Sequence, residues 1–355
     1  MHTQTQLPAI PAGLPAARLR HADAFLAMRG LDRGGVERLM QAKAGPAEHV
    51  LLTSSPVHGL ANSTSDLDFI RVQAEVPQTE RMATQLFEGG NHLELITFSA
   101  GETAQALRAL TALAGEAAPA VVLGHRGWDR AHTVRRKYLE RLVNGVAMDA
   151  TMPYLGHLPV LARVWKWSSL HTAAEQAFYL RLAEEAGESR GRLGYAAGAL
   201  LHLMDATLSH YGHVFSNRKW YLLRWRRFLA SDEAASGPAA GYADAIEGLW
   251  HQVSAALADG TAAALAPRLA DLMGQVFETA GEGRVPALEV TLHGAPQPLT
   301  FLPGAQMLLG AASVFVGDGP LAAGTVELTR GATLPGDPGD LLRAARGGAL
   351  RLLPA

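Results

Sequence analysis

Two carboxylates in one short segment carry the clearest chemical pattern of this chain. Asp66 and Asp68 are separated by one apolar residue, Leu67. Side chains alternate along an extended strand, so residues at i and i+2 point to the same side. Two like charges held together are unfavourable unless a cation lies between them. Since Mg²⁺ prefers carboxylate oxygens together with substrate phosphates, the pair predicts a magnesium site at the mouth of a buried strand.

A short polar turn precedes the two aspartates. Ser54 and Ser55 follow the apolar residues Leu51 and Leu52, and Gly59 stands between the serines and the aspartates. The hydroxyl and backbone N–H groups of such a turn can hold a phosphate. Phosphate and metal ligands are therefore predicted within one stretch of the chain.

This segment resembles the signature of the nucleotidyltransferase superfamily, which includes DNA polymerase beta and the aminoglycoside nucleotidyltransferases. In words, the signature is a Gly-Ser turn, a further glycine, and then Asp-x-Asp on the next strand. Ser55 matches the serine, Gly59 the later glycine, and Asp66 with Asp68 the metal-binding pair. Ser54 stands where the first glycine is usual, although glycine lets a backbone approach a phosphate more closely.

The resemblance covers residues 45–100 and implies a nucleotide site with a divalent metal. The metal would be Mg²⁺, with Mn²⁺ as its substitute, and the nucleotide an NTP, with ATP as the first choice. The residues that it implies for nucleotide binding in this segment are Ser54, Ser55, Gly59 and Ser65.

The superfamily also uses a third carboxylate on a neighbouring strand, and Glu94 is the candidate. Two extended runs, residues 82–88 and 92–98, are separated by Gly89-Gly90-Asn91, which predicts a β-hairpin. An isolated carboxylate inside the apolar second run would be costly to bury. A metal shared with the aspartate pair removes that cost. The alternative is that Glu94 lies on the exposed face of an edge strand.

Basic residues further along the chain are candidates for the triphosphate. Ser216 or Asn217 fits the N-cap of a helix, which places Arg218 and Lys219 in its first turn. The helix dipole disfavours cations there, and a bound anion would reverse that preference. In related enzymes basic residues of the helical domain contact the triphosphate, so the resemblance implies this role for both. The alternative is a basic surface exposed to solvent.

A third candidate lies on the apolar helix predicted from Leu193 to Tyr211. His202, Asp205 and Ser209 share one stripe of this helix. If the stripe faces the cleft, Asp205 is a general base that activates the acceptor. The alternative is that it faces water. A second basic run, from His125 to Arg141, is interpreted as a solvated surface.

The order of the predicted elements indicates an α+β protein. A small mixed-sheet nucleotidyltransferase domain is followed by a helical bundle domain and a small β-rich C-terminal unit. The sheet domain includes a helix from Glu102 to Leu113 and a short strand from Ala120 to Leu123. A helix is expected within residues 18–44 and a loop over residues 231–241. The predicted parts are residues 1–45 for a lead-in and helix, 46–128 for the catalytic domain, 129–282 for the helical domain and 283–355 for the β-rich unit.

Composition limits the partners. The 355 residues have a net charge of −2, which gives no general attraction for long nucleic acid and disfavours a polymerase-like or tRNA-directed enzyme. There are no cysteines, so thiolate metal sites are excluded. No secretory signal and no apolar stretch of roughly 20 residues is found, which predicts a cytoplasmic protein without a membrane contact. A homo-oligomer remains compatible with the sequence.

The predicted reaction moves an NMP, with AMP as the first choice, from an NTP to a hydroxyl or amine of a small molecule, releasing pyrophosphate. The alternative is a degenerate relative that binds nucleotide or a protein partner without catalysis. Ser54 in place of glycine favours this alternative, and the presence of three acids, Asp66, Asp68 and Glu94, disfavours it.

Overall fold

The structure is a computed structural model. The residues that it describes are 7–76, 84–259, 264–284, 286–292, 297–298, 306–309, 314–317, 324–328 and 332–355. The fold is α+β, as predicted, with a small mixed sheet, a helical region and a small antiparallel sheet near the C-terminus.

The chain forms two compact units. The first comprises Met1–Trp165 with Ser209–Trp220, and the second Lys166–Leu208 with Tyr221–Ala355. The first unit thus extends beyond residue 128, where the sequence places the end of a catalytic domain, and takes in a short segment from much later in the chain.

A five-stranded sheet lies in the first unit. Its order is β3-β4-β2-β1-β5. Strands β2 and β4 are parallel, and the other neighbouring pairs are antiparallel. The sheet is therefore mixed. The strands are β1 (His49–Leu52), β2 (Leu67–Gln73), β3 (Thr84–Glu88), β4 (Asn91–Ser99) and β5 (Val146–Ala147).

In the described residues of the first unit, several helices accompany this sheet. They are α1 (Leu14–Met28), α2 (Arg33–Ala44), α3 (Ala100–Ala112), α4 (Ala118–Ala131) and α5 (Arg136–Asn144). The core joins alternate residues of the central strands, such as Phe69 and Leu95, to Phe25 of α1 and Met40 of α2. Burial of these side chains drives the packing, at about 1.5–3 kcal/mol for each large one.

The opposite face of the sheet contacts α5. The ring of Tyr138 on α5 lies 5.6 Å from that of Phe98 on β4. A Cβ on Gly145, at the end of α5, would lie 3.1 Å from Cβ of Leu51, so the absence of a side chain allows the close approach to β1. The sheet thus has helices on both faces.

The predicted hairpin and the helix after it are confirmed. Strands β3 and β4 pair antiparallel across Gly89 and Gly90, which both have positive φ. Helix α3 follows directly because Ser99 ends the strand and caps the helix. Its Oγ accepts from Glu102 N at 3.0 Å, and Glu102 Oε2 accepts from Ser99 N at 3.0 Å.

Three predictions of local structure are corrected. Residues 120–123 belong to α4 and not to a strand, because Ala118, Val121 and Val122 continue a helical stripe to His125 and Trp128. The helix expected within residues 18–44 is two helices, separated at Gly30 with φ of 69°. The loop expected over residues 231–241 contains a short helix, Asp232–Ser236, and a 3₁₀ turn.

The remaining helices are mostly in the second unit. Two long helices are α6 (Leu158–Glu185) and α7 (Ser189–His210). The others are α8 (Tyr221–Leu229), α9 (Asp232–Ser236), α10 (Ala243–Asp259), α11 (Ala266–Thr279) and α12 (Pro338–Arg346).

The C-terminal part contains strands, as predicted, in two small sheets. One antiparallel sheet has the order β10-β6-β11, and the other has the order β7-β8-β9. Several of its predicted turns, among them Pro303-Gly304, lie outside the described residues. The strands are β6 (Ala287–Leu292), β7 (Gln297–Pro298), β8 (Gln306–Leu309), β9 (Val314–Gly317), β10 (Gly324–Glu327) and β11 (Leu350–Pro354).

Among the described residues, none of the helices combines the length and apolar character needed to cross a bilayer.

Histidine 125 makes the stability of the first unit dependent on pH. His125 is buried against Trp165, with ring centroids 4.7 Å apart. Burial, reinforced by the charge of Arg136, lowers the pKa of His125 to about 3, while Asp129 opposes this shift. Between pH 6.5 and about 3 the unfolded chain therefore binds a proton that the folded chain does not. Stability falls as the pH falls through this window, by up to about 1.4 kcal/mol per pH unit.

We expect His125→Phe to lose less stability than the wild type between pH 7 and pH 5, by about 1–2 kcal/mol. Urea denaturation at both pH values measures this difference. His251→Gln, at a histidine whose side chain is 66% exposed, is the control and should follow the wild type. Equal losses in wild type and His125→Phe would contradict the assignment.

Candidate functional site

The predicted carboxylates meet on adjacent strands. Asp68 of β2 and Glu94 of β4 are register partners in the parallel pair, and Glu94 is in turn opposite Gln85 of β3. Register partners lie on the same face of a sheet. Asp68, Glu94 and Gln85 therefore form one polar row across three strands.

A second row lies two residues away, nearer the beginnings of β2 and β4 and nearer the end of the antiparallel β3. Asp66 precedes β2, and its Oδ1 lies 3.5 Å from Nδ1 of His92 on β4. His92 is opposite Phe87 of β3. Asp66 is largely exposed, with 68% of its side chain accessible, whereas the Asp68 side chain is only 14% accessible. The two rows share a face because their members differ by two positions on each strand.

The polar turn after β1 begins directly beside Asp68. The backbone N of Thr53 donates to the Asp68 carbonyl at 2.9 Å, and Thr53 Oγ1 donates to the same oxygen at 3.1 Å. Ser54 and Ser55 follow and are buried. Ser54 has φ of 65°, in the left-handed region that glycine adopts at little cost. Serine thus keeps here the backbone shape expected of glycine.

Gly59 closes the same turn. Its φ is 64°, and a Cβ at this position would lie 2.7 Å from Nε2 of His21. Leu60 N donates to the Ser55 carbonyl at 3.0 Å, which folds the turn back on itself. The backbone conformation favours glycine at this position, and any side chain would also have to displace the ring of His21.

Helix α5 holds both the turn and the aspartate through consecutive residues. Glu140 is buried, and its Oε1 lies 3.6 Å from Nε2 of His58 in the turn. Arg141 Nη1 lies 3.5 Å from Oδ1 of Asp68. The rings of His58 and Phe215 stack at 4.4 Å. One short helix therefore contacts both halves of the candidate site.

Glu140 stays ionised inside the protein. Burial by itself raises the pKa of Glu140, but the hydrogen bond and charge of His58, the hydrogen bond of Asn144 and the charge of Arg141 lower it below its ordinary value. Asn144 Nδ2 donates to Oε1 of Glu140 at 2.7 Å, and Ser216 Oγ donates to Oε2 at 3.1 Å. This network fixes the segment around Ser216 against α5.

Asp66 is positioned by a loop that is tied to two other elements. Arg29, at the end of α1, donates from Nε to Asn91 Oδ1 at 2.9 Å and from Nη1 to the carbonyl of Ser63. Ser65 Oγ accepts from Asn62 N at 3.0 Å. The hydroxyl of Ser65, predicted to bind nucleotide, thus stabilises the loop before Asp66.

The fit of a metal ion depends on donor chemistry and on spacing. Asp66, Asp68 and Glu94 supply only hard oxygen donors, which suit Mg²⁺. In the described part of the chain, however, no group of three or more His, Cys, Asp or Glu side chains lies close enough to hold a metal ion. Asp68 is directed to Arg141 and Asp66 to His92. The donor types fit Mg²⁺. To hold the ion, Asp68 would have to turn from Arg141 to the metal, and Asp66 would have to turn from His92.

Arg218 and Lys219 are exposed residues of a 3₁₀ turn before α8. Asn217 Oδ1 accepts from Lys219 N at 3.2 Å, so Asn217 caps this turn as the sequence suggested. Lys219 Nζ lies 5.2 Å from the ring centroid of Trp220. Their predicted role in nucleotide binding stays a prediction.

Asp205 is buried, so it does not face water as the alternative interpretation expected. Ser169 Oγ donates to Oδ2 at 2.8 Å, and Arg224 Nη1 lies 3.1 Å from Oδ1. Both carboxylate oxygens are therefore engaged, and the assignment of Asp205 as a general base is corrected to a buried structural ion pair.

A family model matches residues 11–355, nearly the whole chain. The chain belongs to the DUF6001 family. This family is described as one of unknown function. None of the curated proteins matches the chain.

Three residues beside the candidate site of this DUF6001 chain are not identified from the sequence: Arg141, His92 and Phe87. Arg141 is far from Asp68 in the chain and lies in a run interpreted as solvated, so no local pattern could have indicated its contact. His92 and Phe87 are opposite each other in a hairpin that the sequence did predict. Counting the register back from the glycine turn would have placed them beside the carboxylates.

The conformation of Ser54 gives a prediction about stability. Left-handed backbone costs a non-glycine residue about 1–2 kcal/mol. We therefore expect Ser54→Gly to be more stable than Ser54→Ala by about 1 kcal/mol, since both variants lack the hydroxyl and differ in the Cβ. Urea denaturation measures this difference in the free energy of unfolding.

Ser55 is the matched control because it is an equally buried serine and has no positive φ. There the order should reverse, with Ser55→Ala more stable than Ser55→Gly. The same order of alanine and glycine at both positions would contradict the backbone assignment for Ser54.

Proposed function

We propose that this protein is a Mg²⁺-dependent nucleotidyltransferase that moves an NMP from an NTP to a small-molecule hydroxyl or amine. The observation that carries the proposal is the register of β2 and β4, which puts Asp68 beside Glu94. Asp66 shares their face, and the Ser54 turn leaves β1 at the same edge of the sheet. Three acids and a glycine-like phosphate turn on neighbouring strands are what such a reaction needs.

In the proposed reaction an acceptor oxygen or nitrogen bonds to the α-phosphorus of the NTP. The bond from that phosphorus to the oxygen bridging to the β-phosphorus breaks, and its electron pair leaves with pyrophosphate. The acceptor's proton passes to water, since Asp205 is buried in an ion pair and the three other acids would hold the metal. The metal would neutralise charge on the attacking and leaving oxygens.

The residues of the turn and the two rows would position the nucleotide. Ser54 and Ser55 would hold the β- and γ-phosphates with hydroxyl and backbone N–H groups. Asp66, Asp68 and Glu94 would hold the metal. Released from Asp68, the guanidinium of Arg141 would be available to a phosphate oxygen, with which it forms strong hydrogen bonds.

A second candidate function is nucleotide or partner binding without transfer. The specific observation in its favour is that Arg141 lies 3.5 Å from Asp68 Oδ1, so a protein cation already compensates the less accessible aspartate. A stable pair of this kind would keep a metal out. Calorimetry with Mg-ATP distinguishes the two functions, because binding without pyrophosphate release indicates the second.

Partners and location follow from the same proposal. The partner is a small-molecule acceptor in the cytoplasm, with ATP as the first nucleotide to test. The net charge of −2 supports the absence of long nucleic acid as a substrate.

Substitution of the acids tests the reaction. We expect Asp68→Asn and Glu94→Gln each to lower pyrophosphate release by at least about 100-fold, because each removes a charge that holds the metal. The assay supplies Mg-ATP with a panel of alcohols and amines. Circular dichroism should show that both variants remain folded.

Glu88→Gln is the matched control. Glu88 is on β3, next to the same hairpin turn, and its carboxylate lies 3.7 Å from Lys43 rather than in either row. This variant should keep wild-type activity. Pyrophosphate release by a pure Asp66→Asn/Asp68→Asn double variant would refute the mechanism.

A further inference from the structure

Phe87 is the most exposed of the large apolar side chains in the described part of the chain. It is 74% exposed and lies on the edge strand β3. An isolated apolar residue at a surface is ordinary. What distinguishes Phe87 is its position, because it ends the row that begins with Asp66 and continues through His92.

The ring of Phe87 is held against its neighbour. The Phe87 and His92 rings stack with centroids 4.9 Å apart and planes at 23°. Nδ1 of His92 lies 3.5 Å from Oδ1 of Asp66. Nε2 of His92 is shielded from water and has no hydrogen-bond partner in the described residues. The outer face of Phe87 is thus a flat apolar surface beside the carboxylates.

The order of the strands places the phosphate turn, the acids and Phe87 one after another across the sheet. Across the sheet, the phosphate turn of β1 comes first, then the aspartates of β2, then Glu94 of β4, and last Phe87 of β3. Neighbouring strands are about 4.8 Å apart. The phosphate turn and the aromatic ring are therefore on opposite sides of the acids.

The geometry of phosphoryl transfer puts the leaving group on one side of the acids and the acceptor on the other. Attacking and leaving groups lie roughly in line through the phosphorus. If pyrophosphate leaves toward the turn at Ser54, the acceptor must arrive from the side of β4 and β3. We propose that Phe87, supported by His92, binds the acceptor and that the acceptor carries an aromatic ring. This inference rests on the proposed function.

The spacing on the strands describes the acceptor further. Glu94 and Gln85 lie two residues from His92 and Phe87, which is roughly 6.6 Å along a strand. A ring stacked on Phe87 would place a hydroxyl or amine a few bonds away next to Glu94 and Gln85. Aryl-alkyl alcohols and amines have this shape, and aromatic rings prefer such stacked contacts.

The experiment compares acceptors in pairs with Mg-ATP as donor. Benzyl alcohol and phenethylamine are set against the open-chain 1-hexanol and hexylamine, with pyrophosphate release as the readout. The enzymes are the wild type, Phe87→Ala, Phe87→Tyr and the control Leu257→Ala, which removes another exposed apolar side chain.

We expect the wild type to favour the aromatic acceptors, and Phe87→Ala to raise their KM by about tenfold with the KM for ATP unchanged. Phe87→Tyr should keep the wild-type KM because it keeps the ring, and Leu257→Ala should behave like the wild type. A role of Phe87 in hairpin stability alone would lower the Tm of Phe87→Ala without this change in KM, and that result would overturn the inference.

The remaining outcomes separate this inference from the proposed function. Turnover with open-chain acceptors as good as with aromatic ones overturns the inference and leaves nucleotidyl transfer standing. A raised KM for ATP in Phe87→Ala shows that the ring binds the nucleobase and also overturns it. Absence of pyrophosphate release with every acceptor overturns the proposed function, and with it the inference.

Discussion

The parallel pairing of β2 and β4 is the constraint on which the candidate site depends. A shift of one residue in this register would move Asp68 away from Glu94 and turn one set of side chains to the other face. Leu67 and Phe69 on β2, with Leu93 and Leu95 on β4, prevent such a shift because they are buried in the core against α1 and α2. The burial of the apolar residues next to the acids therefore determines the positions of the acids.

Each aspartate of the candidate site, and the buried charge behind it, lies near groups that compensate its charge. Asp68 lies near Arg141 and Asp66 near His92, so each aspartate has a positively charged or protonatable neighbour. Deeper in the unit, Glu140 is charged and surrounded by hydrogen bonds. Burial lowers the pKa of Arg18 to about 10, although the nearby Glu140 opposes the shift. Buried charges persist only with such partners.

Local patterns predicted the parts of the fold that depend on short-range chemistry. The glycine turn indicated the hairpin, and the spacing of the acids indicated their shared face. Residues 120–123 are a helix and not the predicted strand, because four apolar residues fit either structure and only the longer period to Trp128 shows the helix. The contacts of Arg141 and Asp205 could not be predicted, since their partners are set by tertiary packing.

Glu140 and Arg141 are neighbours on one nine-residue helix, and they reach the turn and the aspartate respectively. A rotation or displacement of α5 must therefore alter its contact with His58 and its contact with Asp68 at the same time. Movement of this helix therefore cannot change the position of the turn without also changing the position of the aspartate.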